Sequence, residues 1–290
     1  MNVTYYQFAK KALALIILPA IAVSGAWAKN ASSLQVKGSD TMVNLVQAMA
    51  EIYMEKNPES FIAVTGGGSG TGIAALLNDS CDLAMSSREI KPQETEQAKA
   101  KGIETQEVRV ALDGLAVVVH PSNAVSQLSM EQLAGIFTGN IKNWKEVGGK
   151  DAEIVILSRE VNSGTHVYFK EHVLQHAPAG SPKEFSPGAL LMPSSQAIAD
   201  EVAHNSSAIG YYGMGYISPA QKALSVSTGA GAGVAPTTEN ILNGSYPISR
   251  PLYFYTHGKP GSDLQGFLDF TLSEEGQKIV SEMDFVPLKK

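Results

Sequence analysis

Apolar residues recur at two different spacings along the chain, and these spacings predict a succession of strands and helices. Residues 41–56 carry apolar side chains three and four positions apart, from Val43 to Met54, which predicts an amphipathic helix. The short apolar runs that flank it, at residues 34–37 and 61–65, predict strands. Because strands and helices continue to alternate, the sequence predicts an α/β fold with a mostly parallel sheet in its N-terminal third.

The other predicted elements follow the same pattern. Strands are predicted at residues 83–85, 108–111, 115–120, 154–157 and 252–256. Helices are predicted at residues 71–77, 92–101, 129–137, 164–173 and 194–204, with one or two more over 262–282. Asp113-Gly114 is a turn signal between two of the strands, and Ser129 is the N-cap candidate of its helix. The glycine-rich run at residues 228–233 predicts a surface loop.

Chain length and element order predict two lobes. A chain of 290 residues accommodates one large domain or two modest ones. The C-terminal elements follow the central region without a linker, so we expect the chain to cross to a second lobe near residue 112 and return near residue 250. The first lobe then comprises residues 29–111 plus 250–290, and the second comprises residues 112–249. A cleft between lobes joined by two crossover strands is a common ligand site that can close.

The first 28 residues have the features of a secretory signal peptide. Lys10 and Lys11 precede an apolar run at residues 12–23, and a small-x-small pattern ends at Ala28. The alternative, a membrane anchor, needs about 20 apolar residues to span a bilayer. Since this run is shorter, we predict cleavage after Ala28 and export to the periplasm. No cysteine stands directly after the apolar run, so a lipid anchor is not indicated.

Composition and charge argue against several classes of protein. The chain is 44% hydrophobic and 17% charged, which is typical of a globular protein and not of a disordered one. Its net charge is −6, and removal of the signal peptide leaves 20 basic and 28 acidic residues, a net charge of −8. Such a charge gives no basic surface for nucleic acid or an anionic membrane. The single cysteine, Cys81, cannot form an internal disulfide, and Asp82 beside it favours a structural thiol over a reactive one.

Three segments join a predicted strand to a predicted helix through a tight Gly/Ser turn: residues 38–41, 66–72 and 158–165. Free backbone N–H groups and the helix dipole favour an anion at such a position. Helix capping is a sufficient explanation for any one of them. Three in one chain, with Arg159 in the third, indicate a shared oxyanion site, because a guanidinium binds oxyanions through paired hydrogen bonds. Arg88 is a second candidate, with a solvated surface charge as the alternative.

No enzyme motif accompanies these turns. The glycine-rich segment lacks the lysine of a phosphate loop and the spacing of a dinucleotide fingerprint, and Ser69 lacks the spacing of a nucleophile elbow. No histidine lies in an H-E-x-x-H motif, and no paired-carboxylate signature is present. The sequence therefore favours a binding protein over an enzyme, with no metal or cofactor expected. A secreted phosphatase remains the alternative from another class and would need an activated nucleophile or a metal cluster.

At these residues the chain resembles the periplasmic phosphate-binding proteins of ABC transporters, in the type II periplasmic-binding-protein superfamily. The resemblance lies in residues 36–41, 66–72, 82–88, 136–139 with 143–144, and Arg159-x-x-x-Ser163-Gly164-Thr165. It extends over essentially the whole mature chain and implies two α/β lobes with a ligand cleft between them. It further implies that the protein captures inorganic phosphate and delivers it to a membrane permease. We expect a monomer that does not bind nucleic acid.

The resemblance also implies which residues contact phosphate. They are Thr41, Ser69, Arg159, Ser163, Gly164 and Thr165, with Ser39 as an addition from the first turn. The chain departs from the family pattern at two positions. Ser87, followed by Arg88, stands where familiar members have an aspartate that accepts the phosphate proton, and both residues are included as candidates. Val161 stands where the family has an acidic partner of the arginine. Another tetrahedral oxyanion, sulfate or molybdate, is therefore the first alternative ligand.

Asp40 is the nearest carboxylate in sequence that could replace the missing aspartate. An ionised carboxylate accepts a hydrogen bond from the proton of phosphate and repels fully ionised sulfate, which discriminates between them. The alternative is that Asp40 caps a helix or is an acid of its first turn.

Overall fold

The structure is a computed structural model that describes residues 32–288, and the predicted signal peptide lies outside these residues. The strands are β1 (Ser32–Gly38), β2 (Ser60–Thr65), β3 (Leu83–Ser86), β4 (Thr105–Val119), β5 (Gln127–Ser129), β6 (Val155–Arg159), β7 (Leu190–Met192), β8 (Ala208–Gly213), β9 (Lys222–Ala223), β10 (Ser225–Ser227) and β11 (Ser249–His257). The α-helices are α1 (Val43–Lys56), α2 (Ser69–Leu76), α3 (Pro92–Ala100), α4 (Met130–Phe137), α5 (Gly164–His172), α6 (Ser195–His204), α7 (Thr238–Leu242), α8 (Ser262–Leu272) and α9 (Glu274–Glu282). Across the described residues, no helix has the length and apolar character that crossing a membrane requires. The predicted α/β fold is confirmed.

The main sheet has the strand order β2-β1-β3-β11-β4-β8-β6-β7, with β9 paired to β4. We call β2, β1 and β3 the first half-sheet, and β8, β6 and β7 the second half-sheet; within each, the strands are parallel. Between the two, β4 and β11 run antiparallel to each other and to their outer neighbours. The parallel prediction therefore holds for the N-terminal third, and the sheet as a whole is mixed.

Strand β4 corrects the turn predicted at Asp113-Gly114. It is one strand of 15 residues that passes through both positions without a break. The Asp113 carboxylate accepts hydrogen bonds from Arg250 and from the backbone N–H of Met214, so it serves a buried contact and not a turn. Gly114 is explained by packing, because a Cβ there would lie 2.5 Å from the Cδ1 atom of Ile241.

The described residues form four hydrophobic clusters, and the two largest flank the central strands. The first core packs α1, α8 and α9 on the first half-sheet, and its members include Met49, Leu83, Phe254 and Phe267. The second core packs α4 and α5 on β4 and β8, and its members include Val117, Phe137, Phe169 and Tyr211. Burial of each such side chain stabilises the fold by about 1.5–3 kcal/mol. The proposed division into lobes at residues 112 and 250 stays a prediction.

Two local predictions can be compared with contacts. The Ser129 hydroxyl accepts a hydrogen bond from the backbone N–H of Gln132 at 3.1 Å, as expected of the N-cap of α4. Cys81 is buried, and burial together with the nearby Asp82 carboxylate raises the pKa of its thiol to about 11. A thiol with so high a pKa is a poor nucleophile, in agreement with the structural interpretation.

Candidate functional site

Turns at the carboxyl ends of β1, β2, β3 and β6 build the site. Ligands of open α/β sheets bind at this edge, where helix N-termini and strand ends converge. Gly38 brings β1 against β3: a Cβ at this residue would lie 2.1 Å from the carbonyl oxygen of Met85. The next residue, Ser39, donates its backbone N–H to that oxygen at 2.9 Å. The position therefore requires glycine, and the turn that follows is held rigidly.

Hydroxyl groups from both half-sheets meet at this edge. The hydroxyl oxygens of Thr41 and Thr165 lie 2.8 Å apart, although 124 residues separate them in sequence. The Ser69 hydroxyl accepts a hydrogen bond from the backbone N–H of Ser87 at 3.0 Å, and the two serine hydroxyls lie 3.3 Å apart. All four side chains are buried. We call Thr41, Ser69, Ser87 and Thr165 the hydroxyl cluster.

The N-terminus of α5 lies directly on this cluster. A Cβ at Gly164 would lie 2.3 Å from the Ser69 hydroxyl oxygen and 2.7 Å from that of Ser87, so only glycine allows this approach. Ser163 caps the helix: its hydroxyl accepts from the backbone N–H groups of Thr165 and His166 at 3.2 and 3.4 Å. The positive end of the α5 dipole is thus placed beside four hydroxyl groups.

Arg159, at the end of β6, is buried beside Asp40. Its Nη2 atom donates to the Asp40 carboxylate at 2.7 Å and to the Pro193 carbonyl at 3.0 Å. Its Nη1 atom donates to the Ser195 hydroxyl at 3.2 Å. Only 1% of the arginine side chain is exposed. A guanidinium carries five N–H donors in a fixed plane, so these contacts fix its orientation.

Asp40 joins the two half-sheets and does not cap a helix. One carboxylate oxygen pairs with Arg159, and the other accepts the backbone N–H of Gly67 at 2.9 Å. The acidic partner that the family pattern places at Val161 is therefore supplied by Asp40 from the first turn. Val161 itself is exposed. The N-cap position of this turn belongs to Ser39, so the capping alternative for Asp40 is wrong. The other alternative holds, because Asp40 is the acid in the first turn of the 3₁₀ helix Asp40–Met42.

Arg88 is buried and not a solvated surface charge. Both of its terminal nitrogens donate to the two oxygens of the Glu94 carboxylate, at 2.8 and 2.7 Å, and one also donates to the Glu89 carbonyl. This forked pair holds the guanidinium beside α3 and at the edge of the hydroxyl cluster. A cavity of about 380 Å³ lies there, lined by residues that include Arg88, Tyr168, Arg250 and Tyr253 but no member of the hydroxyl cluster.

Sequence reasoning missed a second buried ion pair at the site. Arg250 of β11 and Asp113 of β4 are register partners on adjacent strands. The Nε and Nη2 atoms of Arg250 both donate to the same Asp113 oxygen, at 3.1 and 2.9 Å. Burial raises the pKa of the Asp113 carboxyl, and the neighbouring guanidinium opposes that rise. Nη2 also donates to the Thr165 hydroxyl at 2.9 Å, so the pair touches the hydroxyl cluster.

His166 holds the backbone at the end of β6, where Arg159 lies. The Nδ1 atom lies 2.8 Å from the carbonyl oxygen of Arg159, and because a carbonyl only accepts, Nδ1 carries the proton. Burial lowers the pKa of His166, and the Lys170 and Arg159 charges act in the same direction. The ring is therefore held neutral and fixes the strand end that carries Arg159.

The geometry brings most of the predicted residues together. Thr41, Ser69, Ser87, Ser163, Gly164 and Thr165 form one buried surface, Arg159 is linked to it through Asp40, and Arg88 lies at its edge. The Ser39 hydroxyl is buried and has no hydrogen-bond partner within residues 32–288. Within that same range, no group of His, Cys, Asp and Glu is arranged to hold a metal ion. Such an arrangement offers hydrogen-bond donors to an anion.

A family profile, two curated relatives and a solved structure all match this chain over most of its length. A family profile described as the PBP superfamily domain matches residues 23–275. The phosphate-binding protein PstS of Bacillus subtilis is 36% identical over 262 residues, which cover 90% of this chain and 82% of that protein. The phosphate-binding protein PstS of Pseudomonas aeruginosa is 32% identical over 274 residues, covering 88% and 83%. A crystal structure from Clostridium perfringens, described as a phosphate ABC transporter substrate-binding protein with bound phosphate, is 34% identical, with a TM-score of 0.80 and coverage of 89% and 100%.

Proposed function

This chain belongs to the PBP superfamily and, within it, to the phosphate-binding proteins, and from that premise we propose that it binds inorganic phosphate and delivers it to the permease of an ABC transporter. The observation that carries the proposal is the approach of the α5 N-terminus to the hydroxyl cluster. A desolvated phosphate needs many short hydrogen bonds from fixed donors to replace its water. Hydroxyls, backbone N–H groups at a helix start and a guanidinium supply such donors together.

The proposed phosphate contacts come from the four turns that follow β1, β2, β3 and β6. They are Ser39, Thr41, Ser69, Ser87, Arg159, Ser163, Gly164 and Thr165. Arg88 acts at the edge of the site, because the Glu94 carboxylate holds its guanidinium beside α3. Arg159 donates to the Met192 and Pro193 carbonyls, to Ser195 and to Asp40, which leaves one of its five N–H donors, on Nη1, for the anion.

We propose binding and not catalysis. A phosphatase would need a nucleophile activated by an adjacent base. The histidine nearest to the site, His166, donates its Nδ1 proton to a backbone carbonyl and reaches the Ser158 hydroxyl only at 3.4 Å. Ser69 and Ser87, the serines of the hydroxyl cluster, hydrogen-bond to each other. The named relatives are phosphate-binding proteins, and the Clostridium perfringens structure is described as a transporter substrate-binding protein, which supports the same choice.

The proposal includes the mature form of the protein. After cleavage following Ala28 the chain acts in the periplasm as a monomer that does not bind nucleic acid. Residues 29–111 with 250–290 form one lobe and residues 112–249 the other, and β4 and β11 form the hinge between them. The first core lies wholly within the first of these lobes and the second core within the other, except for Val286, which supports this division.

Titration calorimetry of ligand-stripped protein tests the function. We expect phosphate to bind more tightly than sulfate or molybdate, and no release of phosphate from a phosphomonoester. Arg159→Ala should weaken phosphate binding at least about a hundredfold, because hydrogen bonds to charged groups contribute about 1.5–3 kcal/mol each. The matched control is Arg109→Ala, an exposed arginine of β4. Tighter binding of sulfate or molybdate, turnover of the ester, or near-wild-type phosphate binding by Arg159→Ala would each contradict the proposal.

A further inference from the structure

Arg250 is deeply buried, but its charge is not needed to hold the strands that carry it. Backbone hydrogen bonds already join β4 and β11 over residues 105–114 and 249–257. Only 1% of the Arg250 side chain and none of the Asp113 side chain are exposed. A buried ion pair costs several kcal/mol of desolvation per ion, and a well-packed apolar pair is often as stable. The pair therefore calls for an explanation other than stability.

The contacts of Arg250 point towards the hydroxyl cluster. Its Nη2 atom donates to Thr165 at 2.9 Å and lies 3.5 Å from the Thr41 hydroxyl. Its Nη1 atom is buried and has no hydrogen-bond partner in the part of the chain that the structure describes. The guanidinium carbon also lies 5.4 Å from the centre of the Tyr168 ring. The arginine thus brings a positive charge to the hydroxyls without being fully satisfied there.

The hydrogen bond that Arg250 donates to Thr165 limits the further hydrogen bonds that the Thr41 and Thr165 hydroxyls can form. A guanidinium has donors only, and a hydroxyl has one proton and two lone pairs. The Thr41 and Thr165 hydroxyls also bond to each other, which uses one of their two protons. When Thr41 donates to Thr165, the Thr165 oxygen accepts from both Thr41 and Arg250, so its own proton is left for a further acceptor. When Thr165 donates to Thr41 instead, the Thr41 proton is the one left for a further acceptor. An unprotonated oxygen of an anion is such an acceptor.

We propose that Arg250, oriented by Asp113, is a positioning residue of the anion site that directs the one free hydroxyl proton of the Thr41–Thr165 pair to an unprotonated anion oxygen. The inference rests on the proposed phosphate-binding function and deepens it. Asp113 holds the guanidinium by accepting from two of its nitrogens, and the guanidinium in turn polarises the threonines. The site then contains two arginines, each with its own carboxylate: Arg159 with Asp40, and Arg250 with Asp113.

The test compares two variants that keep the fold by different means. The double variant Asp113→Leu with Arg250→Met removes both charges together, so that neither is left unpaired in the interior. Arg250→Lys keeps a positive charge beside Asp113 but loses the planar fork that reaches both partners. The matched control is Arg109→Gln, an exposed arginine of the same strand as Asp113. Melting temperature without ligand and phosphate affinity by calorimetry are measured for all four proteins, wild type included.

We expect the double variant to melt close to wild type and to bind phosphate about ten- to a hundredfold more weakly, the effect of losing one charge-assisted hydrogen bond. Arg250→Lys should retain part of the affinity, and Arg109→Gln all of it. A folded double variant that binds within about twofold of wild type would overturn the proposal and leave the pair a structural one. If the double variant does not fold, a folded Arg250→Lys with unchanged affinity overturns it equally. Absence of phosphate binding by wild type would instead refute the proposed function.

Discussion

Oδ2 of Asp40 lies 2.7 Å from Nη2 of Arg159, and this ion pair connects the turn after β1 to the end of β6. The two residues belong to different half-sheets and are 119 positions apart. The pair is mostly buried, so its electrostatic attraction is little screened by solvent. It balances the arginine charge and places a carboxylate at the anion site. Both consequences bear on which anion the protein accepts.

Asp40→Asn should change selectivity more than affinity for phosphate. Removal of the negative charge removes the repulsion of fully ionised sulfate, while the amide oxygen still accepts a hydrogen bond. We expect phosphate affinity within about tenfold of wild type, as for the loss of one hydrogen bond, and a clear gain in sulfate affinity. Competition of sulfate against labelled phosphate measures both, with the exposed Asp263→Asn as control. If sulfate is rejected as before, Asp40 serves only to orient Arg159.

Gly164→Ala should prevent the close approach of α5 to the hydroxyl cluster. Its methyl group would lie 2.3 Å from the Ser69 hydroxyl oxygen, and overpacking of this kind costs about 1–3 kcal/mol. We expect phosphate affinity to fall about ten- to a hundredfold, with a smaller change in the melting temperature of the ligand-free protein. At the control position, Gly229, a Cβ would meet no described atom within 4 Å, so Gly229→Ala should bind as wild type. Equal affinities for the two variants would show that α5 can retreat without cost.

The side chain of Asn162 should stabilise the closed arrangement, in which the turn after β6 contacts the turn after β2. Its side-chain amide donates to the Gly67 carbonyl at 2.8 Å and to the Thr71 hydroxyl at 3.2 Å. The backbone carbonyl of Asn162 accepts a hydrogen bond from the backbone N–H of Gly70 at 3.0 Å. Asn162→Ala keeps only the last contact, so we expect phosphate to dissociate about tenfold faster, since each lost bond contributes about 0.5–1.5 kcal/mol. Stopped-flow release into a phosphate trap measures the rate.

The control for Asn162→Ala is Asn140→Ala, an exposed asparagine whose side chain bonds only locally, to Thr138. Small-angle scattering with and without phosphate should in addition show compaction of wild type on binding. An unchanged dissociation rate in Asn162→Ala, or scattering curves that do not differ, would mean that these contacts do not control closure.

His166 should make stability depend on pH below neutrality. Burial lowers its pKa in the folded state, so the unfolded chain binds the proton more readily. The contribution of neutral His166 to the free energy of unfolding is complete above the pKa of about 6.5 that a histidine has in the unfolded chain. It is lost as the pH falls through the lower pKa of His166 in the folded state. The slope for one proton is at most about 1.4 kcal/mol per pH unit.

Urea unfolding at a series of pH values tests this expectation. His166→Asn keeps a donor for the Arg159 carbonyl but does not titrate, so the loss of stability on acidification should be smaller than in wild type. His204→Asn is the control, because His204 also lies against a backbone carbonyl, that of Asp200, but is exposed. Parallel pH profiles for wild type and His166→Asn would assign the acid sensitivity to other groups.

The amphipathic helices and apolar strands could be predicted from the sequence because their signal is local. Helices α1 and α6, for example, show their buried faces directly in the spacing of apolar residues. Strand β8 was not predicted, because Gly210 and Gly213 interrupt it. A Cβ at Gly210 would lie 2.4 Å from the Cγ2 atom of Ile198 on α6, so this glycine reflects close packing and not a turn. Such a requirement depends on a neighbour that the local sequence does not reveal.

The same distinction holds in the site. The Gly/Ser turns and Arg159 were found because each combines several residues of one chemistry within a few positions. Arg250 and Asp113 were missed because each is a single charge in an apolar stretch, and they meet only through the register of β4 and β11, 137 residues apart. The available signal was a lone charge next to a predicted apolar strand, Asp113 between residues 108–111 and 115–120 and Arg250 just before residues 252–256, since buried charges are normally paired.

The place of β11 in the sheet determines the order in which the chain can fold. This strand, formed by residues 249–257, lies between β3 and β4 and hydrogen-bonds to both. Until it arrives, β3 and β4 each present an unpaired edge, and the first core lacks Phe254 and the whole of α8 and α9. A chain that emerges N-terminus first therefore cannot complete either the sheet or its first core before nearly all of its length is available. Because β11 is formed by residues 249–257, the closure of the sheet and of the first core is a late event in the synthesis of the chain.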